Sequence, residues 1–133
     1  MPVRYLEIPT LAVPKGRARA TKSGHHFTPQ KTVSFEAELK WFWKQSKNEM
    51  VPQVPTHVKI AFYLPMPKTL AKKKSEPGRP ITKPDLDNVA KAILDGLNGF
   101  AWRDDNQVCD LQIGKYYTRG SPSIEIEIRW EEE

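Results

Sequence analysis

Proline residues divide this chain into short segments and limit how far a helix or strand can extend. Proline has no backbone N–H to donate and its ring fixes φ, so it ends helices and is tolerated mainly at the edges of sheets. Among the 12 prolines, three bound a first strand over residues 4–11, one ends a first helix and two end a second strand; in that order they are Pro2, Pro9, Pro14, Pro52, Pro65 and Pro67. Each element must therefore fit between neighbouring prolines.

The periodicity between the prolines predicts two helices and four strands. Residues 32–48 and 85–98 repeat apolar side chains at helical spacing, whereas residues 57–64 and 123–130 alternate apolar and polar side chains, as half-buried strands do. Residues 107–117 and 123–130, joined around Gly120-Ser121-Pro122, are expected to form a hairpin. The order β, flap, α, β, loop, α, β, β predicts an α/β (α+β) fold, a small mixed β-sheet with two helices packed on one face.

The first predicted helix has one apolar stripe. Its members are Phe35, Leu39, Phe42 and Ser46, with Trp43 beside them. Trp41 falls off this stripe, and partial burial by neighbouring loops is favoured over contact with a partner or with DNA.

With 133 residues, 38% hydrophobic and 28% charged, the chain has the length and composition of one globular domain spanning 1–133. No stretch approaches the roughly 20 apolar residues that cross a bilayer, and the N-terminus lacks the apolar segment of a signal peptide. We therefore expect a cytoplasmic protein with no membrane partner. Cys109 is the one cysteine, which excludes an internal disulfide and a cysteine-cluster zinc site, and its apolar flanks favour a buried side chain.

Charge is unevenly distributed along the chain. The formal net charge is +5, but residues 1–91 carry 17 basic and 7 acidic side chains, whereas residues 92–133 carry 4 basic and 9 acidic ones. Two segments supply much of the positive charge, a predicted basic flap at 15–31 and a predicted mobile basic loop at 68–83. Their candidate DNA-binding residues are Lys15, Arg17, Arg19, Lys22, Lys31, Lys72, Lys73, Lys74, Arg79 and Lys83. Basic loops suit DNA phosphates, although a solvated surface explains the charge equally well.

The flap contains a turn signal at Ser23-Gly24, followed by His25 and His26. Adjacent histidines on a strand point to opposite faces, so one metal ion is rarely held by both. The pattern therefore predicts a basic hairpin rather than a metal site.

The stretch Lys83-Pro84-Asp85-Leu86-Asp87-Asn88 opens the second predicted helix and holds two carboxylates within the basic part of the chain. Because Pro84 disfavours helical angles in the residue before it, Asp85 is expected at the N-cap, where its carboxylate and that of Asp87 can converge. Lys91 lies one turn after Asp87 on the same side. Paired carboxylates need a compensating cation, and Mg²⁺ prefers such oxygen ligands.

A third carboxylate is predicted from Asp104 or Asp105, which follow the helix in a loop from which a side chain could reach back to the helix start. Local structure offers another explanation for each acid, with Asp85 as an N-cap, Asp87 at the positive end of the helix dipole and the adjacent pair in a turn. The metal site is favoured because the acids follow a basic loop, and a phosphodiester enzyme needs both cations for the backbone and a metal ion.

Three parts of the sequence together resemble the signature of the RusA-like Holliday junction resolvases, small endodeoxyribonucleases often carried by prophages. They are Asp85-Leu86-Asp87-Asn88, Lys91 and Phe100-Ala101-Trp102-Arg103-Asp104-Asp105-Asn106-Gln107-Val108. Two upstream segments, Pro14-Lys15-Gly16-Arg17-Ala18-Arg19 and Phe27-Thr28-Pro29-Gln30-Lys31-Thr32, are also similar to that family, so the resemblance covers nearly the whole chain.

The resemblance implies a RusA-like fold and a homodimer that cuts four-way DNA junctions symmetrically. It also implies that Asp85, Asp87 and Asp105 bind the catalytic Mg²⁺, with Mn²⁺ as an alternative, and that Lys91 is an essential active-site cation. Asn88 and Asp104 are assigned supporting roles, and the number of metal ions stays open. In this hypothesis a metal-activated water attacks phosphorus while Lys91 stabilises the phosphoryl charge. The alternatives are a non-catalytic DNA-binding or regulatory module and a nuclease for other branched DNA.

Overall fold

The computed structural model describes residues 1–16, 29–73 and 78–132, together with the backbone of residues 19–20 and 26–27. The strands in these parts are β1 Val3–Ile8, β2 Arg19–Ala20, β3 His26–Phe27, β4 Thr56–Pro65, β5 Val108–Thr118 and β6 Ser123–Trp130. The helices are α1 Gln30–Gln45, α2 Lys68–Ala71 and α3 Leu86–Leu97, and a 3₁₀ turn covers Asp105–Gln107. None of these helices combines the length and the apolar composition that a membrane span requires.

Four strands form one mixed sheet in the order β1-β6-β4-β5. β4 runs parallel to β5 and antiparallel to β6, which also pairs antiparallel with β1. α3 belongs to the crossover between the parallel strands β4 and β5, a connection that cannot be a tight turn. α1 and α3 pack together, and the buried side chains of β4 and β6 alternate with exposed ones along each strand. The predicted mixed sheet with helices on one face is confirmed.

The predicted hairpin between β5 and β6 is wrong. Both strands exist, but β4 lies between them, and residues 119–122 cross its end. This span is two interstrand spacings, about 10 Å, which four extended residues bridge easily. Arg119 secures the link, since its guanidinium donates to the carbonyl oxygens of Ala71 at 3.0 Å and Lys73 at 3.3 Å. The turn residues located the link but did not determine which strand β6 joins.

α1 confirms part of the predicted stripe, since Phe35 and Leu39 are buried, and departs from it at its C-terminal end. Its buried residues are Thr32, Phe35, Leu39 and Trp43. Trp43 takes the place assigned to Phe42 because it lies four residues after Leu39, directly above it on the helix surface, while Ser46 is exposed. Trp41 is 55% exposed rather than covered by neighbouring loops, and its ring meets Phe42 edge-on with 4.9 Å between centroids.

α1 and α3 approach each other closely at Gly96. A Cβ at residue 96 would lie 2.5 Å from Leu39 Cδ1, so no larger residue fits without displacing that side chain. Lys15 joins the same two helices, since its ammonium lies 2.6 Å from Glu36 Oε1 and 3.1 Å from Asp95 Oδ2. The first residue of the predicted flap is thereby fixed to the helical layer.

The two basic segments are described in part. β2 pairs antiparallel with β3, which agrees with the predicted hairpin of the flap. Arg17, Lys22 and the turn at Ser23-Gly24 lie outside the described residues, as does Lys74 of the second segment. In that segment Lys68–Ala71 forms the short helix α2 where an irregular loop was expected.

Candidate active site

The start of α3 presents two carboxylates. Asp85 takes the N-cap position with extended backbone angles (φ −72°, ψ 140°), as predicted, but its side chain accepts no capping hydrogen bond. Asp87 lies in the first turn, and one of its oxygens accepts a hydrogen bond from the Asn88 backbone N–H at 3.0 Å. Both residues are exposed. Helix capping therefore does not account for the Asp85 carboxylate, whose oxygens can accept other ligands.

One face of α3 carries alternating charges. Asp87, Lys91 and Asp95 are spaced by four residues, so they follow one another along the helix. Lys91 Nζ lies 3.3 Å from Asp95 Oδ2. The Lys91 side chain is nevertheless 63% exposed, whereas that of Asp95 is 26% exposed. Asp95 thus draws the Lys91 ammonium toward the C-terminal half of α3 and leaves it accessible from solvent.

Asp104 and Asp105 have different roles at the 3₁₀ turn. Asp104 caps the turn, because its carboxylate accepts a hydrogen bond from the Asn106 N–H at 3.0 Å and the Gln107 side chain caps in return. Asp105 is anchored through its backbone N–H, which donates to Asn98 Oδ1 at 2.9 Å. Turn formation therefore explains the Asp104 carboxylate and gives that of Asp105 no comparable function.

The Asp105 carboxyl lies in an acidic environment. Burial raises its pKa above the usual value, Asp104 and Asp95 raise it further, and Lys91 acts in the opposite direction. The hydrogen bond from its N–H to Asn98 places Asp105 beside the C-terminal end of α3, where Asp95 and Lys91 are close enough to affect its pKa. A cation beside this carboxyl would relieve the repulsion among the acids.

The predicted carboxylates come from two places, Asp85 and Asp87 from the start of α3 and Asp105 from the 3₁₀ turn that follows it. Eight residues, about 12 Å of helix, separate Asp87 from Asp95, and Asp95 helps to raise the pKa of Asp105. Among the described residues, the three-residue group whose ligand atoms all lie within 4.8 Å of one another is His57, Cys109 and Glu131, not the three aspartates. The ligand oxygens of Asp85, Asp87 and Asp105 thus do not all lie within 4.8 Å of one another.

Asp95 is a site residue that the sequence motif did not identify. The four-residue spacing of Lys91 and Asp95 predicts an ion pair between them. The contact of Asp95 with Lys15 depends instead on tertiary packing, in which the Lys15 N–H donates to the Asn88 carbonyl at 2.8 Å. The Lys15 side chain is only 21% exposed and is held between Glu36 and Asp95. Lys15 therefore serves an internal ion-pair network, which differs from the open phosphate contact expected for it.

A groove of about 580 Å³ borders Asp85. It lies between the segment before the flap, the end of β4 and the entry to α3, and its lining includes Leu11, Leu64, Lys83, Asn88 and Tyr117. Lys83 contributes a cation to the lining of this groove, which is open to solvent. Asp85 is the acidic group of that lining.

Five other predicted phosphate ligands lie on the surface of the described part of the chain. Lys31, Lys72, Lys73 and Arg79 are exposed, as is Lys83. Arg79 is also oriented, because its Nε donates to the Lys115 carbonyl at 3.1 Å and its guanidinium lies 4.3 Å from the Tyr116 ring centroid. The side chain of Arg19 lies outside the described part of the chain.

Comparison with known sequences assigns the chain. The sequence profile of the family Endodeoxyribonuclease RusA matches residues 9–129. The chain belongs to the RusA endodeoxyribonuclease family. The chain is also similar to "Uncharacterized protein YqaN" of Bacillus subtilis (strain 168). The two are 36% identical over 123 residues, in an alignment that covers 87% of this chain and 85% of the relative.

RusA proteins are endodeoxyribonucleases that resolve Holliday junctions, generally with a divalent metal ion. The predicted family resemblance is thereby confirmed, and the matched region includes α3, the 3₁₀ turn and both basic segments.

Proposed function

We propose that this protein is a Mg²⁺-dependent endodeoxyribonuclease that resolves Holliday junctions as a homodimer, by symmetric phosphodiester cleavage. The observation that carries the proposal is the pair of exposed carboxylates at the start of α3, beside the groove that Lys83 lines. Carboxylates at a surface that attracts DNA repel phosphate unless a metal ion lies between them. Asp85 in particular has no capping bond that would give it a purely structural role.

The donor chemistry along α3 fits Mg²⁺, which prefers oxygen ligands and is commonly held by one or two carboxylates. We assign Asp85, Asp87 and Asp105 as its ligands, with Mn²⁺ as an alternative ion. Asp105 supports this assignment because neighbouring acids raise its pKa and a divalent cation favours its ionised form. Such an ion supplies water activation and stabilisation of the leaving oxygen.

Lys91 contributes a positioned positive charge. Its pair with Asp95 orients the side chain, and its exposed ammonium can donate to a phosphoryl oxygen as negative charge develops there. Asp95 is accordingly a positioning residue. Asp104 supports the site by fixing the turn that carries Asp105. Asn88 supports it by accepting a backbone hydrogen bond from Lys15, which holds the start of the flap against α3.

The exposed cations outside α3 bind DNA without reading its sequence. Lys31, Lys72, Lys73, Arg79 and Lys83 are expected to contact phosphates, so affinity should fall steeply with salt. Selectivity for branched DNA would then come from the shape of the junction. Two active sites related by a dimer axis match the two-fold symmetry of a four-way junction.

Cleavage of a synthetic four-way junction, with and without Mg²⁺, tests this function. Wild type should make paired symmetric nicks, and Asp85→Asn, Asp87→Asn or Asp105→Asn should slow cleavage at least about 100-fold while junction binding is kept. Glu38→Gln removes an exposed carboxylate from α1 and serves as the matched control, with wild-type cleavage expected. Wild type that binds the junction but never nicks it with metal would be a non-catalytic module.

A substrate panel separates junction resolution from other nuclease functions. Four-way junctions, flaps, linear duplex and single strands are compared at equal salt, because salt alone changes affinity. Preferential, paired cutting of the four-way junction is expected. Equal or faster cutting of flaps would assign the protein to other branched DNA.

A further inference from the structure

A corner of the sheet gathers a histidine, a cysteine and a glutamate. His57 lies on β4, Cys109 lies on β5, and Glu131 directly follows β6. β5 and β6 are the two strands that flank β4. His57 Nε2 lies 2.9 Å from Glu131 Oε2 and 3.9 Å from Cys109 Sγ. Cys109 is exposed, contrary to the burial predicted for it, so its sulfur is accessible from solvent.

The strand pairing holds the three residues in place. A register shift between Thr56 and His57 lets β5 contribute an additional residue at this point, and Cys109 Sγ is 3.5 Å from the Thr56 carbonyl oxygen. The Glu131 N–H donates to the Pro55 carbonyl at 3.0 Å, which fixes the residue after β6 beside the start of β4. The cluster therefore depends on ordered backbone rather than on a loop.

Asp110 orients the imidazole of His57. Its Oδ2 lies 2.8 Å from His57 Nδ1, on the side of the ring opposite Glu131 and Cys109. Histidine ligands in metal sites usually donate one ring N–H to a carboxylate, which directs the lone pair of the other nitrogen to the metal. With Nδ1 donating to Asp110, the lone pair of Nε2 points toward the cysteine and the glutamate.

The spacing of the ligand atoms is close to that of a tetrahedral zinc site. Zinc bond lengths of about 2.0–2.1 Å to nitrogen, 2.3 Å to sulfur and 2.0–2.2 Å to oxygen give roughly 3.6 Å between nitrogen and sulfur and roughly 3.4 Å between nitrogen and oxygen. The observed 3.9 Å and 2.9 Å differ from these by a few tenths of an ångström. Rotation of the exposed Glu131 and Cys109 side chains can supply that change.

We propose that His57, Cys109 and Glu131 form a binding site for Zn²⁺ or another thiophilic divalent cation, with water as the fourth ligand and Asp110 as the residue that orients the histidine. Thiolate and imidazole select such ions, whereas Mg²⁺ prefers the oxygen ligands of α3. Binding converts the Cys109 thiol to thiolate, and its proton passes to solvent. The site is separate from the proposed nuclease centre and does not depend on it.

Cobalt spectroscopy tests the site directly. Co²⁺ is titrated into reduced, tag-free protein that has been treated with chelator, and a thiolate-to-cobalt charge-transfer band at one equivalent is expected. Zn²⁺ should abolish the band by displacement, while millimolar Mg²⁺ should leave it unchanged. Cys109→Ser should abolish the band, and Asp110→Asn should weaken Co²⁺ binding about 10–100-fold.

Protection of the thiol gives a second measurement. Zn²⁺ should slow alkylation of Cys109 by iodoacetamide in wild type, and His57→Gln and Glu131→Gln should reduce this protection. The matched control is Glu125→Gln, which changes a carboxylate of β6 outside the group and should keep this protection. Far-UV circular dichroism of every variant without metal verifies folding.

Two results would overturn the proposal. One is Zn²⁺ binding that is equally tight in wild type and Cys109→Ser, which would place the ion elsewhere. The other is the absence of a charge-transfer band in wild type, which would leave His57 as an imidazole hydrogen-bonded between two carboxylates. Asp105→Asn, expected to be inactive as a nuclease, should retain the band, so failure of either proposal is distinguishable from failure of the other.

Discussion

The aspartates of α3 and the group at His57 are two candidate metal sites assembled in opposite ways. The α3 site draws two of its predicted ligands from the start of one helix and the third from the turn that follows it, and their oxygens do not all lie within 4.8 Å of one another. The group at His57 takes one residue from each of three chain regions distant in sequence, and its ligand atoms lie within 4.8 Å of one another. Proximity in sequence therefore does not gather ligands on a helix, whereas pairing of neighbouring strands does.

The two sites also differ in the chemistry that they offer. α3 presents carboxylate oxygens together with Lys91, a combination suited to a hydrated hard cation and a phosphate. The sheet corner presents nitrogen, sulfur and oxygen on a fixed backbone, a combination that selects softer ions. The two proposed sites therefore select different ions.

The largest expected effect is a double dissociation between these sites. Asp105→Asn should slow Mg²⁺-dependent junction cleavage at least about 100-fold, because it removes a charge that acts at the reacting phosphate. Cys109→Ser should leave that rate within about twofold, since it removes neither a predicted Mg²⁺ ligand nor a predicted DNA contact. Single-turnover cleavage rates measure both. Equal losses in the two variants would contradict the separation of the sites.

The sequence predicted the α3 site through local rules. Pro84 and the spacing of Asp85, Asp87 and Lys91 are features of one segment, and the N-cap placement of Asp85 was confirmed. Such rules did not show that Asp104 caps the turn, because both acids suit a turn equally well. Nor did they show that Asp95 helps to raise the pKa of Asp105. Side-chain hydrogen bonds of the folded turn make that distinction.

The group at His57 was beyond local rules because it depends on strand order. The turn residues before β6 suggested a hairpin with β5, an arrangement in which β4 would not lie between the strands that carry Cys109 and Glu131. The apolar neighbours of Cys109 suggested burial, but its strand lies at the edge of the sheet, where the side chain is exposed. Long-range pairing, rather than residue type, decided both outcomes.

A smaller effect is expected from Lys15, which connects α1 to the acidic face of α3. Lys15→Met leaves Glu36 and Asp95 without their shared cation and should lower the free energy of unfolding by about 1–2 kcal/mol, allowing for solvent screening. Lys31→Met removes an exposed cation and should change it by less than about 0.5 kcal/mol. Urea unfolding measures both. A loss for Lys15→Met no greater than that of the control would show that the ion pairs do not stabilise the helix packing.

The smallest expected effect is a gain in stability when Asp105 is neutralised. Because the folded-state pKa of this carboxyl is raised above that of the unfolded chain, its ionisation opposes folding. The penalty is absent below the unfolded pKa, near the ordinary value of 3.8, and complete above the folded one. In chelator at pH 7, Asp105→Asn should therefore raise the free energy of unfolding by up to about 1 kcal/mol, and the gain should shrink as the pH falls toward 4.

Addition of Mg²⁺ completes this last comparison. The ion should stabilise wild type by binding the folded state and should stabilise Asp105→Asn less. The stability advantage that Asp105→Asn has in chelator should therefore shrink or reverse. Cys109→Ser should respond to Mg²⁺ as wild type does and lose only the stabilisation given by Zn²⁺. Melting temperatures of the three proteins in chelator, Mg²⁺ and Zn²⁺ provide the nine values that decide it. An Asp105→Asn variant that is less stable than wild type in chelator at pH 7 would show that packing of this side chain outweighs its electrostatic cost, and that the acidic end of α3 is a structural feature rather than a site kept for a cation.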